Sequence, residues 1–379
     1  MFRYKYLKYK TKYFNLKNNN LKGGVQNVLR NPNDRGIVLA AVTNNADALK
    51  YAHEDLKNDR NFILSAVKKN GWILKELHED LKNDREIVLA AVEKNGLALQ
   101  YASPTLKNNK EIVLAAVTNV IALQYKSALK FASNNLKKDR ELVLAAVENN
   151  GMALEHASED LKEDREIVLA AVTNNAIALR YASNKLIDED DFILEAIKKN
   201  GEALKFARKS DNSEFVLAAV TNNGMVLEYA YEKLKEEREI VLAAVKQNGM
   251  ALEHAYFRLR NDEEIVLAAV KQNGLALQYA SPTLKNNKEI VLAAVEKNGM
   301  ALEHASNKLK NDPIFIMDAV QINGLAYQYA NDYIKKEKEI VLAAVTQNSE
   351  VIELLSEEIK PTIKKILKDN NEKYIKRER

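Results

Sequence analysis

Cysteine is absent from the 379 residues, which removes disulfides, thiolate metal sites and cysteine nucleophiles together. Twelve glycines and five prolines are few for this length; they argue against collagen-like, sandwich or propeller chains and favour helix. No apolar run approaches ~18 residues and the N-terminus lacks the unbroken apolar centre of a signal peptide, so a soluble chain without a transmembrane segment is expected. A large excess of one charge is missing too, since 57 basic and 53 acidic residues leave a formal +4. Dinucleotide, phosphate-loop and nucleophile-elbow motifs are absent: outside the repeat turns described next, the glycines are Gly23, Gly24 and Gly36. We therefore expect no enzyme activity, no catalytic residue and no cofactor or metal site. What remains is a 46% hydrophobic chain able to bury a sizeable core.

That core is written in repeats. Glu86 to Val117 and Glu264 to Val295 are the same sequence except at Glu93/Lys271 and Lys94/Gln272. Taking the first large apolar residue of each EIVLAAV-like stretch as a marker gives Ile37, Phe62, Ile87, Ile112, Leu142, Ile167, Phe192, Phe215, Ile240, Ile265, Ile290, Phe315 and Ile340. The step is 25 residues, except for 30 between Ile112 and Leu142 and 23 between Phe192 and Phe215. Thirteen copies therefore occupy residues 34–359, between an N-terminal arm, 1–33, and a C-terminal basic segment, 360–379.

Each copy reads as two short helices. Asn or Asp three residues before Glu, as in Asn83 to Glu86, Asn108 to Glu111 and Asn286 to Glu289, has the spacing of a capping box. Asn-Gly, as at Asn95-Gly96 and Asn273-Gly274, is expected to close the first helix with glycine in the left-handed region. A second helix of about two turns carries Leu-Ala-Leu-x-Tyr-Ala and ends near Ser103-Pro104. A leucine such as Leu106 or Leu284 then plugs the connection. The run Ile87 to Val92 is apolar on every side, so neighbouring copies must cover it. The expected fold is an all-α solenoid of thirteen two-helix repeats. A leucine-rich-repeat-like α/β solenoid is the rival, because its period is similar and it too places asparagine at a fixed position; but Leu-Ala-Ala-Val followed by Glu, Lys or Gln is helix chemistry without a period of two.

The unit Asp164 to Val172, DREIVLAAV, with its Asn-Gly and Leu-x-Tyr-Ala companions, resembles a family of short tandem helical repeats of unknown function from mimivirus-type giant viruses. The resemblance spans about Asp34 to Ile359; it implies helical repeats and supplies no activity. Tyr6 to Lys17, followed by Gly23-Gly24, is similar to a leader seen on many such viral proteins. It implies a setting in host cytoplasm, viral factory or virion. This sequence departs from the repeat at Lys75 to His78, at the inserted Gln124 to Lys130, and at Arg208 to Ser213, where the leucine plug is missing.

Residues 1–30 hold eight basic side chains and no acid, and residues 360–379 hold eight basic and three acidic, leaving a net acidic array between basic ends. An acidic array is not the positive face of a nucleic-acid-binding solenoid. The leading expectation is a non-catalytic scaffold for protein–protein interaction, with Glu93, Lys94 and Gln100 as examples of exposed specificity positions. The alternative is a nucleic-acid-associated protein acting through its basic termini. Tyr6, Lys8, Tyr9, Lys10, Lys12 and Tyr13 form an aromatic and lysine pattern at helical spacing that marks partner or targeting contacts, and Gly23-Gly24 is a candidate processing site. The residue before the second-helix aromatic changes from Lys50, Lys75, Lys130 and Arg180 in early copies to Glu228, Glu253, Glu303 and Glu353 in late ones. His156, His254 and His304 replace that aromatic and are expected to pack. The run Asp188 to Asp191 falls where other copies place a helix cap. At the C-terminus, Ile363, Ile366, Leu367 and Ile375 suit an amphipathic capping helix.

Overall fold

The computed structural model describes residues 24–119 and 127–377, with side chains as far as residue 369. The chain divides into two compact units, Met1–Phe192 and Ile193–Arg379. Each is an all-α solenoid of stacked repeats, with no strand among the described residues. The leucine-rich-repeat alternative falls with that, because the Leu-Ala-Ala-Val stretches are helices throughout.

One copy shows how the sequence specifies the unit. The Asp262 side chain accepts the Ile265 N–H at 3.0 Å and opens a ten-residue α-helix, Glu263–Gln272. Asn273 then turns the chain in an extended conformation, φ −146°, and its side chain accepts the Leu275 N–H at 3.1 Å. A six-residue 3₁₀-helix, Gly274–Tyr279, follows. With three residues per turn its side chains eclipse, so Gly274, Leu277 and Ala280 share one buried line. A further single turn, Leu284–Asn286, ends the copy and buries Leu284. The repeat thus has three helical pieces rather than the expected two, because the plugging leucine nucleates a turn of its own.

Two further expectations are corrected. The α-helix caps are Asp84, Asn109 and Asn287, one residue after the asparagines that the spacing suggested; they accept the N–H of Ile87, Ile112 and Ile290. Asn83 and Asn286 are not idle: they accept the Ser103 and Ser306 hydroxyls at 2.6 Å and tie successive single turns together. The glycine of Asn-Gly does not adopt a left-handed turn, since no described glycine has positive φ. Its necessity is contact. A Cβ on Gly249 would lie 2.2 Å from the Ala269 carbonyl oxygen of the next repeat.

Within each unit, consecutive α-helices pack on one another and consecutive 3₁₀-helices do the same, as Arg238–Gln247 on Glu263–Gln272 and Gly249–His254 on Gly274–Tyr279. Ile265, Val266, Ala269 and Val270 are fully buried between them. The next two residues of the run, Leu267 and Ala268, stay half-exposed. The expectation of an all-round cover is therefore corrected: neighbours bury two sides and part of a third, and a Leu-Ala strip remains outside. At the ends, residues 24–30 form a helix that buries Val28, and Lys360–Arg377 buries Ile363 against the last repeat.

Candidate interaction surface

Register between repeats is held by two ladders of side chains. Along the helix N-termini, the first basic residue of one copy grips the cap and the following acid of the next. Arg60 bonds Asp84 and Glu86 at 2.7 Å each, Lys110 meets Asp139 and Glu141 at 2.8 and 2.9 Å, and Arg238 meets Asp262 at 3.0 Å and Glu264. Burial, the largest single influence on Asp84, Asp164 and Asp262, pushes their carboxyls up. The arginine partner and the backbone N–H donors outweigh it and hold each below the ordinary aspartate value. At the helix C-termini an amide does the clamping. Gln247 donates to the Asn222 carbonyl at 3.2 Å and accepts the Gly224 N–H at 2.6 Å. It satisfies an orphan acceptor of one helix and an orphan donor of the next element together. Neither ladder was foreseen from the sequence. The signal was there in the constant 24- and 26-residue offsets from Arg60 to Asp84 and Glu86.

With the inner faces committed to stacking, three outward features stand out on the described surface, beside single exposed apolar side chains such as Ile314. The first is the half-exposed leucine row, which in the second unit runs through Leu194, Leu217, Leu242, Leu267 and Leu292. Between two of its helices Leu194, Lys198, Glu214, Leu217, Ala218, Thr221 and Asn222 line a shallow groove of about 450 Å³. The second is the charged row ahead of the aromatics. Lys50, Lys75, Lys130, Arg180, Glu228, Glu253, Glu303 and Glu353 are all exposed. Several are engaged internally: Lys50 and Lys75 with Asp47 and Glu76, and Glu353 with Lys360. The third was missed by sequence reasoning. Tyr231 is 59% and Phe257 62% exposed on the connections after the 3₁₀-helices of consecutive repeats, and Arg258 lies over the Phe257 ring at 5.9 Å.

The residues singled out from sequence fall as follows. Tyr6, Lys8, Tyr9, Lys10, Lys12 and Tyr13, and Gly23 of the candidate processing site, lie outside the described residues, as do residues 120–126 of the long copy. Glu93 and Lys94 are exposed; Gln100 is half-buried and donates to the Leu97 carbonyl at 3.1 Å. His156 and His304 are half-buried in the aromatic row, and burial pushes both imidazoles down. His53 and His78 cap the short helices Glu54–Asn58 and Glu79–Lys82. In the acidic run, Glu189 and Asp191 pair with Arg165 at 2.8 and 3.3 Å. No group of three or more metal-ligating side chains occurs among the described residues. No described helix is long and apolar enough to cross a membrane.

Comparison with known families agrees with the repeat. The model of a domain of unknown function, DUF4116, matches residues 34–82, 84–137, 121–162, 164–210, 212–260, 262–310 and 312–360. A typical match spans two successive 25-residue copies, so the family's unit is a pair of the stacked elements described above. Neither a curated protein nor a solved structure matches the chain. The matches run from residue 34 to residue 360 with one gap of a single residue at each junction but one, and the chain belongs to the DUF4116 family.

Proposed function

We propose that the chain is a non-catalytic scaffold that binds other proteins by multivalent contact along its repeats. The observation that carries this reading is the exposed aromatic pair Tyr231 and Phe257. At the same two positions several other copies hold Ser103-Pro104, Ser158-Glu159 or Ser281-Pro282, so folding does not require a ring there, although Tyr256 repeats the ring of Tyr231 and packs on Phe257 at 4.5 Å between centroids. Large apolar side chains kept in solvent without a folding role are typical anchors of binding surfaces, and Tyr and Arg are over-represented among them. The leucine row supports the same reading by supplying a repeated apolar contact, with exposed side chains such as Glu93, Lys94, Lys246 and Lys271 at its edge to differentiate partners. Two of the described grooves are lined mainly by Leu, Ala, Thr and Asn, which favours docking over chemistry, and a third carries Lys336, Lys338 and Glu358. The resemblance of the leader to giant-virus proteins supports a role during infection of a host cell.

The test replaces Tyr231→Ser and Phe257→Pro, residues the repeat already accepts at those positions. Affinity capture from infected cells with this variant should lose a partner by about tenfold or more relative to the parent chain, at unchanged helical circular dichroism. Identical recovery would defeat the reading. The basic residues of 1–30 and 360–379 favour nucleic acid as a second reading; absence of binding to a random oligonucleotide at low salt removes it.

A further inference from the structure

Nine copies contain Asn-Gly, the dipeptide whose side-chain amide is most open to attack by the following backbone nitrogen, because glycine presents no Cβ to hinder the approach. We propose that in the folded chain three of them, Asn70-Gly71, Asn273-Gly274 and Asn298-Gly299, are sites of spontaneous deamidation, singled out by the residue that ends the α-helix of the following repeat.

The nine have a common geometry. Asn70, Asn273 and Asn298 are extended with φ between −144° and −156°, and each side chain accepts the N–H two residues on at 3.0 to 3.1 Å. Asn223, Asn248 and Asn323 share that conformation and that bond. Asn70 and Asn323 also donate their side-chain amides to the Val42 and Val295 carbonyls at 2.8 and 3.2 Å; what separates two sets of sites is the fate of the glycine N–H. In five copies it is held by an amide from the next repeat: Gly151 by Asn174 at 2.8 Å, Gly201 by Asn222 at 2.9 Å, Gly224 by Gln247 at 2.6 Å, Gly249 by Gln272 at 2.7 Å and Gly324 by Gln347 at 2.6 Å. For Gly71, Gly274 and Gly299 the corresponding residues are Lys94, Lys297 and Ile322, which carry no acceptor. Asn95-Gly96 lies beside Asn119 and belongs to neither set.

The chemistry makes that N–H decisive. The glycine nitrogen gives its proton to water or hydroxide and attacks the asparagine Cγ; the bond from Cγ to the side-chain nitrogen breaks and ammonia leaves, closing a succinimide. One water then opens the ring at either carbonyl, giving aspartate or isoaspartate, so that a water is consumed for each ammonia released. A carbonyl oxygen accepting the glycine N–H opposes the step twice, by retaining the proton and by keeping the nitrogen turned away from Cγ. One hydrogen bond of ordinary strength is worth about a two- to tenfold difference in rate. The product matters to the fold. Isoaspartate lengthens the main chain by one methylene beside Gly274, where even a Cβ would come within 2.3 Å of the Ala294 carbonyl oxygen. Asn273 and Asn298 sit in consecutive repeats, so conversion concentrates at one stretch of the second unit.

The experiment incubates the full-length folded protein in mildly alkaline buffer and follows each Asn-Gly peptide by mass spectrometry with isoaspartate detection, beside a sample in concentrated urea. Asn70, Asn273 and Asn298 should convert about two- to tenfold faster than Asn150, Asn200, Asn223, Asn248 and Asn323, and urea should remove the contrast between the two sets. Lys297→Gln installs the residue already present at Gln247, Gln272 and Gln347; it should slow Asn273 to the clamped rate and leave Asn70 and Asn298 unchanged. Gln272→Lys should accelerate Asn248. Equal rates in the two sets of the native chain, or an Asn273 rate indifferent to Lys297→Gln at full helical signal, would overturn the proposal. If Gln272→Lys loses helix, Lys297→Gln still decides.

Discussion

Gly249 shows how one hydrogen atom in place of a methyl sets the spacing of two repeats. Its backbone rests against the end of the following α-helix, where a Cβ would meet the Ala269 oxygen at 2.2 Å and its carbon at 3.1 Å. Backbone cannot swing aside as a side chain can, so Gly249→Ala should destabilise the chain by about 1 to 3 kcal/mol, the usual cost of overpacking. Ala46 and Ala176 occupy the same position in other copies, so those two junctions hold a methyl where this one holds none. Gly36→Ala is the control, since its Cβ would meet only the capping Asp34 oxygen at 3.3 Å, a side-chain contact that a shift of a few tenths of an ångström relieves, and alanine is the better helix former by up to about 1 kcal/mol. Urea melts of the two variants should move in opposite directions. A Gly249→Ala melt that superimposes on the parent would mean that the close approach is not rigid.

The capping aspartates give a second consequence at the same scale. Asp84, Asp164 and Asp262 are held below their ordinary value in the folded chain. A depressed carboxyl contributes stability that is present above its unfolded pKa, about 3.9, and is lost as pH falls toward and through the folded value. The thermal midpoint should therefore drop between about pH 5 and pH 3. Asparagine serves as the cap at Asn109 and Asn287, so the triple substitution Asp84→Asn, Asp164→Asn, Asp262→Asn keeps a side-chain acceptor while removing three titrating groups. It should lower the midpoint at neutral pH and shrink the acid-induced drop. An undiminished drop would place the acid sensitivity elsewhere.

Among the elements, what the sequence revealed depended on whether the information was local. The α-helices were legible because Glu263–Gln272 and its counterparts carry an acceptor before the first turn, helix formers within, and an asparagine after the last. The 3₁₀ character of Gly274–Tyr279 was not. Six residues between an extended Asn273 and an extended Ala280 suit either helix type locally, and the choice follows from docking Gly274, Ala276 and Leu277 against the next repeat. The cap position was missed by one residue for a related reason. Asn83 and Asp84 are both competent caps, and the outcome is decided by Ser103 and Arg60 from neighbouring copies, which take one each. Of the candidate surface, the charged row was readable as a row. Tyr231 and Phe257 were overlooked because they are deviations from the repeat, and a search for what recurs passes over what does not.

For the molecule as a whole, a period of 25 residues carried by contacts to the next copy implies that the fold should tolerate loss of a whole period and fail on loss of a fraction. Deleting residues 239–263 joins Arg238 to Glu264 and restores Arg-Glu-Ile-Val at the junction. The amide clamp and the leucine plug return in register, because each partner lies close to one period away, and Glu237 takes the place of the capping Asp262. The shortened chain should keep its helical signal per residue, and its total denaturant sensitivity should fall by roughly one part in thirteen, since that slope follows the surface exposed on unfolding. Deleting residues 239–251 instead removes the α-helix and sets the remainder of one 3₁₀-helix against the wrong neighbour. Ile265 and Val266 then face a surface built for other side chains, and the second unit should lose cooperative unfolding. Circular dichroism with urea titration distinguishes the two. Equal damage from both deletions would show that the copies are not interchangeable modules, and that each junction is matched individually to the partner it has.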